Sequence, residues 1–329
     1  MKALVTGAGG FLGLYIVEQL LACGHGVRAL CRREAPPLRG LGVETALADL
    51  RLASAVGEAC RGVDTVFHVA GVAGIGGPWR KYHESNTRAT QHVVRACLAY
   101  GVRRLIYTSS PSVIFDGVDQ QGVDESTPYP RKWLCHYARS KALAEQCVLD
   151  ANGRDGLSTC VLRPHLLWGP RDRHLLPRLV ERAGRGRLYR VGAGTNRVDN
   201  LYVENAAAAH LLAAEALQRG SAVAGGTYFL SQGEPVNCWG WIDEMLAAAN
   251  MPRVEKSISF KTAWRLGACF ELLWRVCRLP GEPPMTRFLA AQLATDHYFD
   301  IGRARRDFGY VPGVSSPEGM RRLAAWLAK

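Results

Sequence analysis

Short apolar runs alternate with longer segments of helical periodicity along the first half of the chain. The apolar runs, rich in Val, Ile, Leu and Thr and bounded by turn residues, predict strands at 3–6, 26–30, 65–69, 104–109 and 158–163. Between them, helical segments are predicted at 11–22, 52–60, 84–100 and 137–152. Strands that alternate with helices through short connections predict a parallel sheet with helices on both faces, and right-handed crossovers make such a sheet doubly wound.

The pattern changes after Arg163-Pro164. Glycines interrupt an Arg-rich segment that reaches 197, a helix at 202–217 and a strand at 227–230 follow, and the chain beyond Cys238 is helical in pattern. We therefore predict two parts. Residues 1–165, rejoined by 199–232, form the α/β domain, and residues 166–198 and 233–329 form a smaller, mostly helical lobe that binds the substrate.

A glycine-rich motif, Thr6-Gly7-Ala8-Gly9-Gly10-Phe11-Leu12-Gly13, lies between the first predicted strand and the first predicted helix. Glycines at positions 7, 10 and 13 suit a tight turn, a close approach of backbone to phosphate, and close packing of helix on strand. The helix that opens at Phe11 and Leu12 offers free N–H groups and a positive dipole end to a pyrophosphate. In this context the motif predicts a dinucleotide-binding Rossmann fold.

The end of the second predicted strand bears on which dinucleotide is bound. An acidic residue about 20 residues beyond the glycines would bind the ribose hydroxyls of NAD, but this chain has Cys31-Arg32-Arg33 there. Two guanidinium groups suit a 2′-phosphate, so we predict NADP(H) as the preferred cofactor, with NAD(H) as the alternative. Asp49 and Leu50, after the next short strand, are predicted to contact the adenine.

A second motif, Tyr137-Ala138-Arg139-Ser140-Lys141, places a phenol and an ammonium on one face of a predicted helix. A tyrosine with its pKa near 10 exchanges protons poorly at neutral pH, and a nearby cation lowers that pKa by about 1–3 units. Ser110 follows a predicted strand at the carboxyl edge of the sheet, where its hydroxyl can polarise a carbonyl oxygen. Capping of the strand end by Ser110, and a solvent-exposed Tyr137–Lys141 pair, are the structural alternatives.

Several short motifs, in one order along the chain, together resemble a known family. They are Thr6–Gly13, Phe67–Ala70, Asn86, Tyr107–Ser110, Tyr137-x-x-x-Lys141, Arg163-Pro164, Trp168-Gly169-Pro170 and Phe308–Pro312. Over essentially its whole length the chain resembles the extended short-chain dehydrogenase/reductases, and among them the 3β-hydroxysteroid dehydrogenase/isomerase branch. The acidic residue of NAD-using relatives is absent at Cys31, which is a departure from the family pattern.

The resemblance implies roles for individual residues. Tyr137 would donate and accept the proton, Lys141 would tune its pKa and hold a ribose, and Ser110 would polarise the carbonyl, with Asn86 as a further catalytic residue near the nicotinamide. The residues that the resemblance and the motifs above assign to cofactor binding are Gly7, Gly10, Phe11, Leu12, Gly13, Arg32, Arg33, Asp49, Leu50, Ala70, Ser109, Tyr137, Lys141, Pro164 and His165. No metal is expected.

The reaction that the resemblance implies is hydride transfer between the nicotinamide and a secondary alcohol or ketone. Bacterial members of the family that it resembles reduce a 2-alkyl-3-oxoalkanoic acid to the 3-hydroxy acid, and a 3β-hydroxysteroid is the alternative substrate. The substrate residues that we predict are His165, Arg171, Arg173 and Trp79. A nucleotide-sugar epimerase or dehydratase and a non-catalytic NADP-binding protein are alternatives that Arg32-Arg33 and the complete Ser110, Tyr137 and Lys141 set, respectively, argue against.

The charge of the chain limits its partners. There are 41 Lys and Arg against 29 Asp and Glu, a formal net charge of +12, yet no nucleic-acid-binding module is recognisable. Residues 261–277 predict a basic amphipathic helix, with Leu266, Phe270, Leu273 and Trp274 on one face. We favour a roof over an apolar pocket for this helix, with a membrane surface or a partner enzyme as alternatives. A cytoplasmic location, with or without membrane association, is expected because no signal peptide is evident. A homodimer is also expected.

Overall fold

The central sheet is the frame on which the rest of the molecule is built. A computed structural model describes all residues, 1–329. Its strands are β1 (Lys2–Thr6), β2 (Gly26–Cys31), β3 (Glu44–Leu47), β4 (Thr65–His68), β5 (Arg104–Thr108), β6 (Gln120–Val123), β7 (Ser158–Pro164), β8 (Leu167–Trp168), β9 (Arg190–Val191), β10 (Arg197–Val198), β11 (Leu201–Tyr202), β12 (Thr227–Leu230), β13 (Val236–Asn237), β14 (Ser257–Ile258) and β15 (His297–Phe299). Seven of them form one parallel sheet in the order β12-β7-β5-β4-β1-β2-β3.

Helices cover both faces of this sheet and build most of the second half. They are α1 (Phe11–Ala22), α2 (Pro36–Arg39), α3 (Ala53–Cys60), α4 (Trp79–Tyr82), α5 (Ala89–Ala99), α6 (His136–Asp150), α7 (Leu175–Gly184), α8 (Val203–Ala216), α9 (Cys238–Ala248), α10 (Phe260–Val276), α11 (Arg287–Gln292), α12 (Gly302–Phe308) and α13 (Ser316–Leu327). A π-helical turn (His83–Arg88) leads into α5, and two short 3₁₀ turns cover Pro111–Ile114 and Arg154–Gly156. None of the helices is long and apolar enough to cross a bilayer.

The strand order locates the functional edge of the sheet. β1 pairs with β2 on one side and with β4 on the other, so that Val5 lies opposite both Ala29 and Phe67. Successive strands are added on one side of β1 as far as β3 and then on its other side from β4 onward, so the strand order reverses at β1. Ligands of doubly wound sheets bind at the carboxyl ends of the strands beside such a switch point. The predicted doubly wound parallel sheet is confirmed.

The second half of the chain contains its own apolar core. Trp168, Trp239, Ile242 and Met245 are buried there in a cluster separate from the two that sandwich the central sheet. A four-stranded sheet of order β13-β10-β15-β6 lies beside it and was not predicted, because two of its strands are only two residues long. We propose that residues 166–198 and 233–329 form the substrate lobe, while β12 returns the chain to the main sheet.

Candidate active site

A cleft of about 870 Å³ opens at the carboxyl edge of the central sheet. Its walls come from the glycine-rich loop after β1 and from the chain after β2, β3, β4, β5 and β7, with the start of α6 closing one end. Predicted site residues on its walls are Gly7, Gly10, Phe11, Leu12, Gly13, Arg32, Arg33, Asp49, Leu50, Ala70, Ser109, Ser110, Tyr137, Lys141, Pro164 and Arg173. The remaining predicted residues, Asn86, His165, Arg171 and Trp79, lie off these walls.

The glycine-rich loop is shaped so tightly that larger residues would not fit. Gly7 has a φ of +68°, and a Cβ there would lie 2.9 Å from the Ala70 Cα; a Cβ on Gly13 would lie 2.3 Å from the Gly7 carbonyl oxygen. Helix α1 follows with Gly10 at its N-cap and no side chain bonded to its first turn. Its N-terminal N–H groups, at Phe11 and Leu12, are therefore available on the cleft wall to a phosphate. This cradle fits a dinucleotide.

Three arginines line the part of the cleft that is formed by the chain after β2 and β3. Arg32 and Arg33 are exposed on the wall and form none of the ion pairs found in the structure. The Asp49 carboxylate is paired with the Arg51 guanidinium at 2.6 Å, and this hydrogen bonding lowers the pKa of Asp49. Sequence reasoning missed Arg51, which also lines the cleft. Two guanidinium groups free of carboxylate partners suit the 2′-phosphate of an adenosine ribose.

Tyr137 stands at the start of α6, where the Cys135 thiol caps the helix by accepting a hydrogen bond from the Ala138 N–H. Burial raises the pKa of Tyr137 to about 12, and hydrogen bonding with Ser110 offsets part of that rise. The Ser112 hydroxyl donates to Ser110 Oγ at 3.0 Å. Because Ser110 accepts that bond, its own proton is free to be donated towards Tyr137 or a bound carbonyl oxygen. Ser112 was not singled out from the sequence.

Lys141 lies one helical turn beyond Tyr137 and is almost fully buried. Its Nζ donates to the Thr108 carbonyl oxygen at 2.5 Å and lies 4.2 Å from the centre of the Tyr107 ring. Burial lowers the pKa of Lys141 to about 7, although the Glu145 carboxylate favours the charged form. The cost of burying a phenolate dominates the pKa of Tyr137 and raises it. That the lysine cation lowers this pKa stays a prediction.

Asn86 lies behind the cleft wall rather than on it. In the π-helical turn His83–Arg88 its side chain is buried, with Oδ1 accepting from the Val72 N–H at 2.7 Å and Nδ2 donating to the Val72 carbonyl oxygen at 3.0 Å. Nδ2 also donates to Ser140 Oγ at 2.9 Å, and that hydroxyl donates to the Tyr137 carbonyl oxygen at 2.8 Å. Asn86 is thus placed to position the loop after β4 and the first turn of α6, and its catalytic role stays a prediction.

A buried histidine continues this network under the glycine-rich loop. His68 is bonded through Nδ1 to Thr6 Oγ1 at 2.8 Å and through Nε2 to Thr90 Oγ1 at 2.9 Å. Thr90 donates onward to the Asn86 carbonyl oxygen, and Thr6 accepts from the Ala70 N–H. Burial lowers the pKa of His68 to about 3, so the ring is neutral and holds both ends in place. The motif Phe67-His68-Val69-Ala70 includes this histidine among the residues that carry the family resemblance, but it does not predict its hydrogen-bond partners.

Two of the four predicted substrate residues, Arg171 and His165, are bound to other side chains of the protein. Arg171 forms a two-bond ion pair with Glu18, at 2.7 and 2.8 Å, and lies 3.9 Å over the Tyr15 ring. His165 is buried and hydrogen-bonded to His297 at 2.7 Å. Neither was predictable as a structural residue, since the partners are more than 100 residues away in sequence.

Trp79 and Arg173 are the other two predicted substrate residues. Trp79 lies outside the cleft, whereas Arg173 lies on its wall. Trp79 packs against His83 and lies under the Arg139 guanidinium, 4.7 Å from its ring centre, outside the cleft. Arg173 is exposed on the cleft wall and forms none of the ion pairs found in the structure. His174, which was not predicted, lies beside it on the wall. Arg173 is therefore the one predicted substrate cation that the fold leaves available.

Comparison with known proteins supplies the family. Residues 4–262 match the 3-beta hydroxysteroid dehydrogenase/isomerase family. The chain belongs to this family. Members of the family are NAD(P)-dependent dehydrogenases and reductases that act on CH–OH or keto groups, so the predicted family and enzyme class are confirmed.

Relatives within the 3-beta hydroxysteroid dehydrogenase/isomerase family align along nearly the whole chain. A 2-alkyl-3-oxoalkanoate reductase of Stenotrophomonas maltophilia (strain K279a) is 51% identical over 99% of both chains. A protein of the same name from Shewanella oneidensis is 44% identical over 99% of this chain and 86% of its own. The decarboxylating sterol-4-alpha-carboxylate 3-dehydrogenase of Mus musculus is 34% identical over 98% and 89%, respectively.

Solved structures share the fold of this family member from end to end. The structure of gox2253 superposes with a TM-score of 0.79 at 26% identity, covering 99% of this chain and 98% of that one. MoeE5 in complex with UDP-glucose and NAD superposes with a TM-score of 0.76 at 24% identity, covering 100% and 99%. At 24% identity, the similarity to MoeE5 concerns the fold alone.

Proposed function

We propose that this protein is an NADP(H)-dependent ketone reductase that converts a 2-alkyl-3-oxoalkanoic acid into the 3-hydroxy acid. The observation that supports the reaction is that Ser110, Tyr137 and Lys141 line the same cleft as the glycine-rich loop, and that Ser110 is hydrogen-bonded with Tyr137. The substrate is proposed from the relative at 51% identity over the whole chain, which bears the name 2-alkyl-3-oxoalkanoate reductase. The experiment that tests the proposal is NADPH-dependent turnover of a 2-alkyl-3-oxo acid, compared with a steroid panel.

The residues that would hold the cofactor are distributed along the cleft. The glycine-rich loop and the first turn of α1 would bind the pyrophosphate, and Arg32 and Arg33 would bind the 2′-phosphate. The chain at Ala70, just after β4, would contact the nicotinamide half of the cofactor. When bound, the cofactor supplies or accepts the hydride.

The proton is the task of this chain's own residues. With its pKa raised to about 12, Tyr137 holds its proton at neutral pH and gives it up only to a stronger base, such as the alkoxide oxygen that forms as a ketone is reduced. Ser110, whose oxygen already accepts a hydrogen bond from Ser112, would keep its own proton and donate a hydrogen bond to the same substrate oxygen, which polarises the carbonyl before the hydride arrives. Lys141 lies one turn further along α6. When the Lys141 amine is protonated, its positive charge would stabilise the Tyr137 phenolate that remains after proton transfer.

The cofactor preference is tested by removing both arginines. In the double variant Arg32→Ser/Arg33→Ser we expect the KM for NADPH to rise about 10- to 100-fold, because charge-assisted hydrogen bonds to the 2′-phosphate are lost. The KM for NADH should change little, since that cofactor has no 2′-phosphate. Steady-state kinetics with both cofactors measure the ratio.

A matched control is Arg219→Ser, which removes an equally exposed arginine from a turn far along the chain from the cleft residues. It should leave both KM values unchanged. Equal losses for NADPH and NADH in the double variant, or a wild-type preference for NADH, would contradict the assignment of Arg32 and Arg33.

The substrate carboxylate is proposed to meet Arg173. We expect Arg173→Gln to raise the KM for a 2-alkyl-3-oxo acid about two- to fivefold, the upper range for an exposed ion pair, while the KM for its methyl ester stays constant. The acid-to-ester ratio therefore reports the charge contact itself.

Arg171→Gln is the control for that ratio. It breaks the ion pair with Glu18 and lowers the free energy of unfolding, but it should leave the acid-to-ester ratio at the wild-type value. If Arg171→Gln shifts the ratio and Arg173→Gln does not, the assignment of the substrate cation is wrong.

A second candidate substrate is a sterol. The sterol-4-alpha-carboxylate 3-dehydrogenase relative aligns over 98% of this chain, and a sterol bearing a carboxylate would also suit Arg173. Turnover of such a sterol at a rate above that of every 2-alkyl-3-oxo acid tested would favour this candidate.

A further inference from the structure

Helix α10 presents an apolar face to solvent. It packs on the protein through small residues: Ala263 and Gly267 are buried, and a Cβ on Gly267 would lie 2.6 Å from the carbonyl carbon of Thr286 just before α11. The larger side chains that the sequence predicts on one apolar face differ in their burial. Phe270 and Trp274 are half-buried, whereas Leu266 and Leu273 are exposed.

The exposed apolar side chains of the molecule concentrate on this helix and its end. Six of the thirteen exposed large hydrophobic residues lie between 260 and 279; they are Phe260, Leu266, Leu272, Leu273, Val276 and Leu279. Leu272 is 53% exposed and Val276 is 68% exposed. Single exposed leucines are ordinary on protein surfaces, but a contiguous apolar stripe on one helix indicates an interaction surface.

The exposed charges on α10 and just after it are all positive. Lys261, Arg265, Arg275 and Arg278 are exposed, and none of them forms an ion pair in the structure. The one carboxylate of the helix, Glu271, is turned to the protein side, where it bonds the Arg287 side chain and N–H. The solvent-facing side of α10 therefore combines leucines with cations that have no acidic neighbour on the helix.

We propose that α10 docks this protein on an anionic lipid surface, lying in the plane of the interface with Leu266, Leu272, Leu273 and Val276 in the acyl boundary. Helices of this composition bind by burying apolar area while their cations contact anionic headgroups. A second copy of the chain fits the face less well. A two-fold contact would bring the same cations together from both chains with no carboxylate between them.

The inner side of α10 packs near the start of the helix that carries Tyr137. Trp264, on the inner side of α10, packs with Leu134 and Cys135 in a small apolar cluster around Phe115. Cys135 caps the helix on which Tyr137 is the second residue. Docking would therefore bring the start of α6, which carries Tyr137, near the lipid surface. For a long-chain substrate, a consequence that rests on the proposed function, this shortens the path from bilayer to cleft.

Flotation with lipid vesicles tests the docking. We expect the full-length protein to float with vesicles containing about one-third phosphatidylglycerol in phosphatidylcholine, to bind pure phosphatidylcholine about tenfold more weakly, and to be largely released by about 1 M salt. The double variant Leu272→Gln/Val276→Gln should bind the anionic vesicles about tenfold or more weakly, because it removes apolar area from the interface. Both side chains are exposed, so folding should be unaffected.

The matched control is Leu47→Gln/Val311→Gln, whose side chains are 56% and 70% exposed elsewhere on the molecule. It should float like the wild type. Equal flotation of the two double variants, or a wild-type chain that binds no anionic vesicle, would overturn the proposal, as would self-association that only Leu272→Gln/Val276→Gln abolishes. Turnover of a short-chain, water-soluble ketone should be equal in all three proteins, so a failure of the proposed reaction is distinguishable from a failure of docking.

Discussion

Replacing Tyr137 with phenylalanine is expected to lower kcat about 10²- to 10⁴-fold, the range in which a positioned proton donor contributes. The ring would remain, so the packing of the α6 N-terminus and the shape of the cleft should persist. The hydroxyl is the only group lost, and with its pKa raised to about 12 it is the acid that the mechanism requires. Stopped-flow or steady-state oxidation of NADPH measures kcat, and fluorescence titration checks that NADPH still binds with its wild-type Kd.

Tyr82→Phe is the matched control for this prediction. The Tyr82 ring lies 6.5 Å from that of Tyr137, and its hydroxyl donates to the Gly76 carbonyl oxygen at 2.6 Å. Its loss should cost about 1 kcal/mol of stability and leave kcat within a few-fold of the wild type. Turnover by Tyr137→Phe at the wild-type rate would remove Tyr137 from the mechanism, and with it the proposed reductase chemistry.

Replacing Lys141 with methionine is expected to lower kcat/KM about 100-fold while changing how stability depends on pH. Burial lowers the pKa of Lys141 to about 7 from its ordinary value of 10.5. Between these values the unfolded chain carries a proton that the folded chain lacks, so the free energy of unfolding rises with pH in this window. Methionine has no such proton, and the variant should lose that part of the slope.

Urea unfolding between pH 7 and about 8, below the ordinary cysteine pKa of about 8.5, measures the slope in both proteins. Both proteins have the same ten cysteines, so the difference between their slopes reports the lysine. Lys81→Met serves as the control, because Lys81 is exposed beside the Tyr82 ring and its substitution should alter neither kcat/KM nor the slope. A Lys141→Met enzyme with normal activity would exclude Lys141 from the site. Identical pH slopes in Lys141→Met and the wild type would show that the lysine is not desolvated as described.

The main sheet could be predicted from the sequence because its strands are long enough to show a pattern. The runs at 3–6 and 104–109 correspond to β1 and β5, and their residues are buried on both faces. The small sheets could not be predicted. Strands such as β10 and β13 contain two residues each, and they form only because chain segments nearly 40 residues apart pair with each other.

The sequence by itself determined the order of the chemical groups. The glycine-rich loop, the serines after β5 and the Tyr137–Lys141 pair each sit at a strand end or a helix start, and in a doubly wound sheet such positions meet at one edge. Their assembly in one cleft therefore follows from the order of strands and helices alone.

Only the tertiary structure decided which other polar residues remain available to a ligand. The sequence does not distinguish Arg171 from Arg173, but Arg171 pairs with Glu18, whereas Arg173 forms none of the ion pairs found in the structure. His165 is held by His297, and Asn86 by the backbone of Val72. The physical reason is that a charged or polar side chain takes the partner that lies nearest in space, and those partners are distant along the chain.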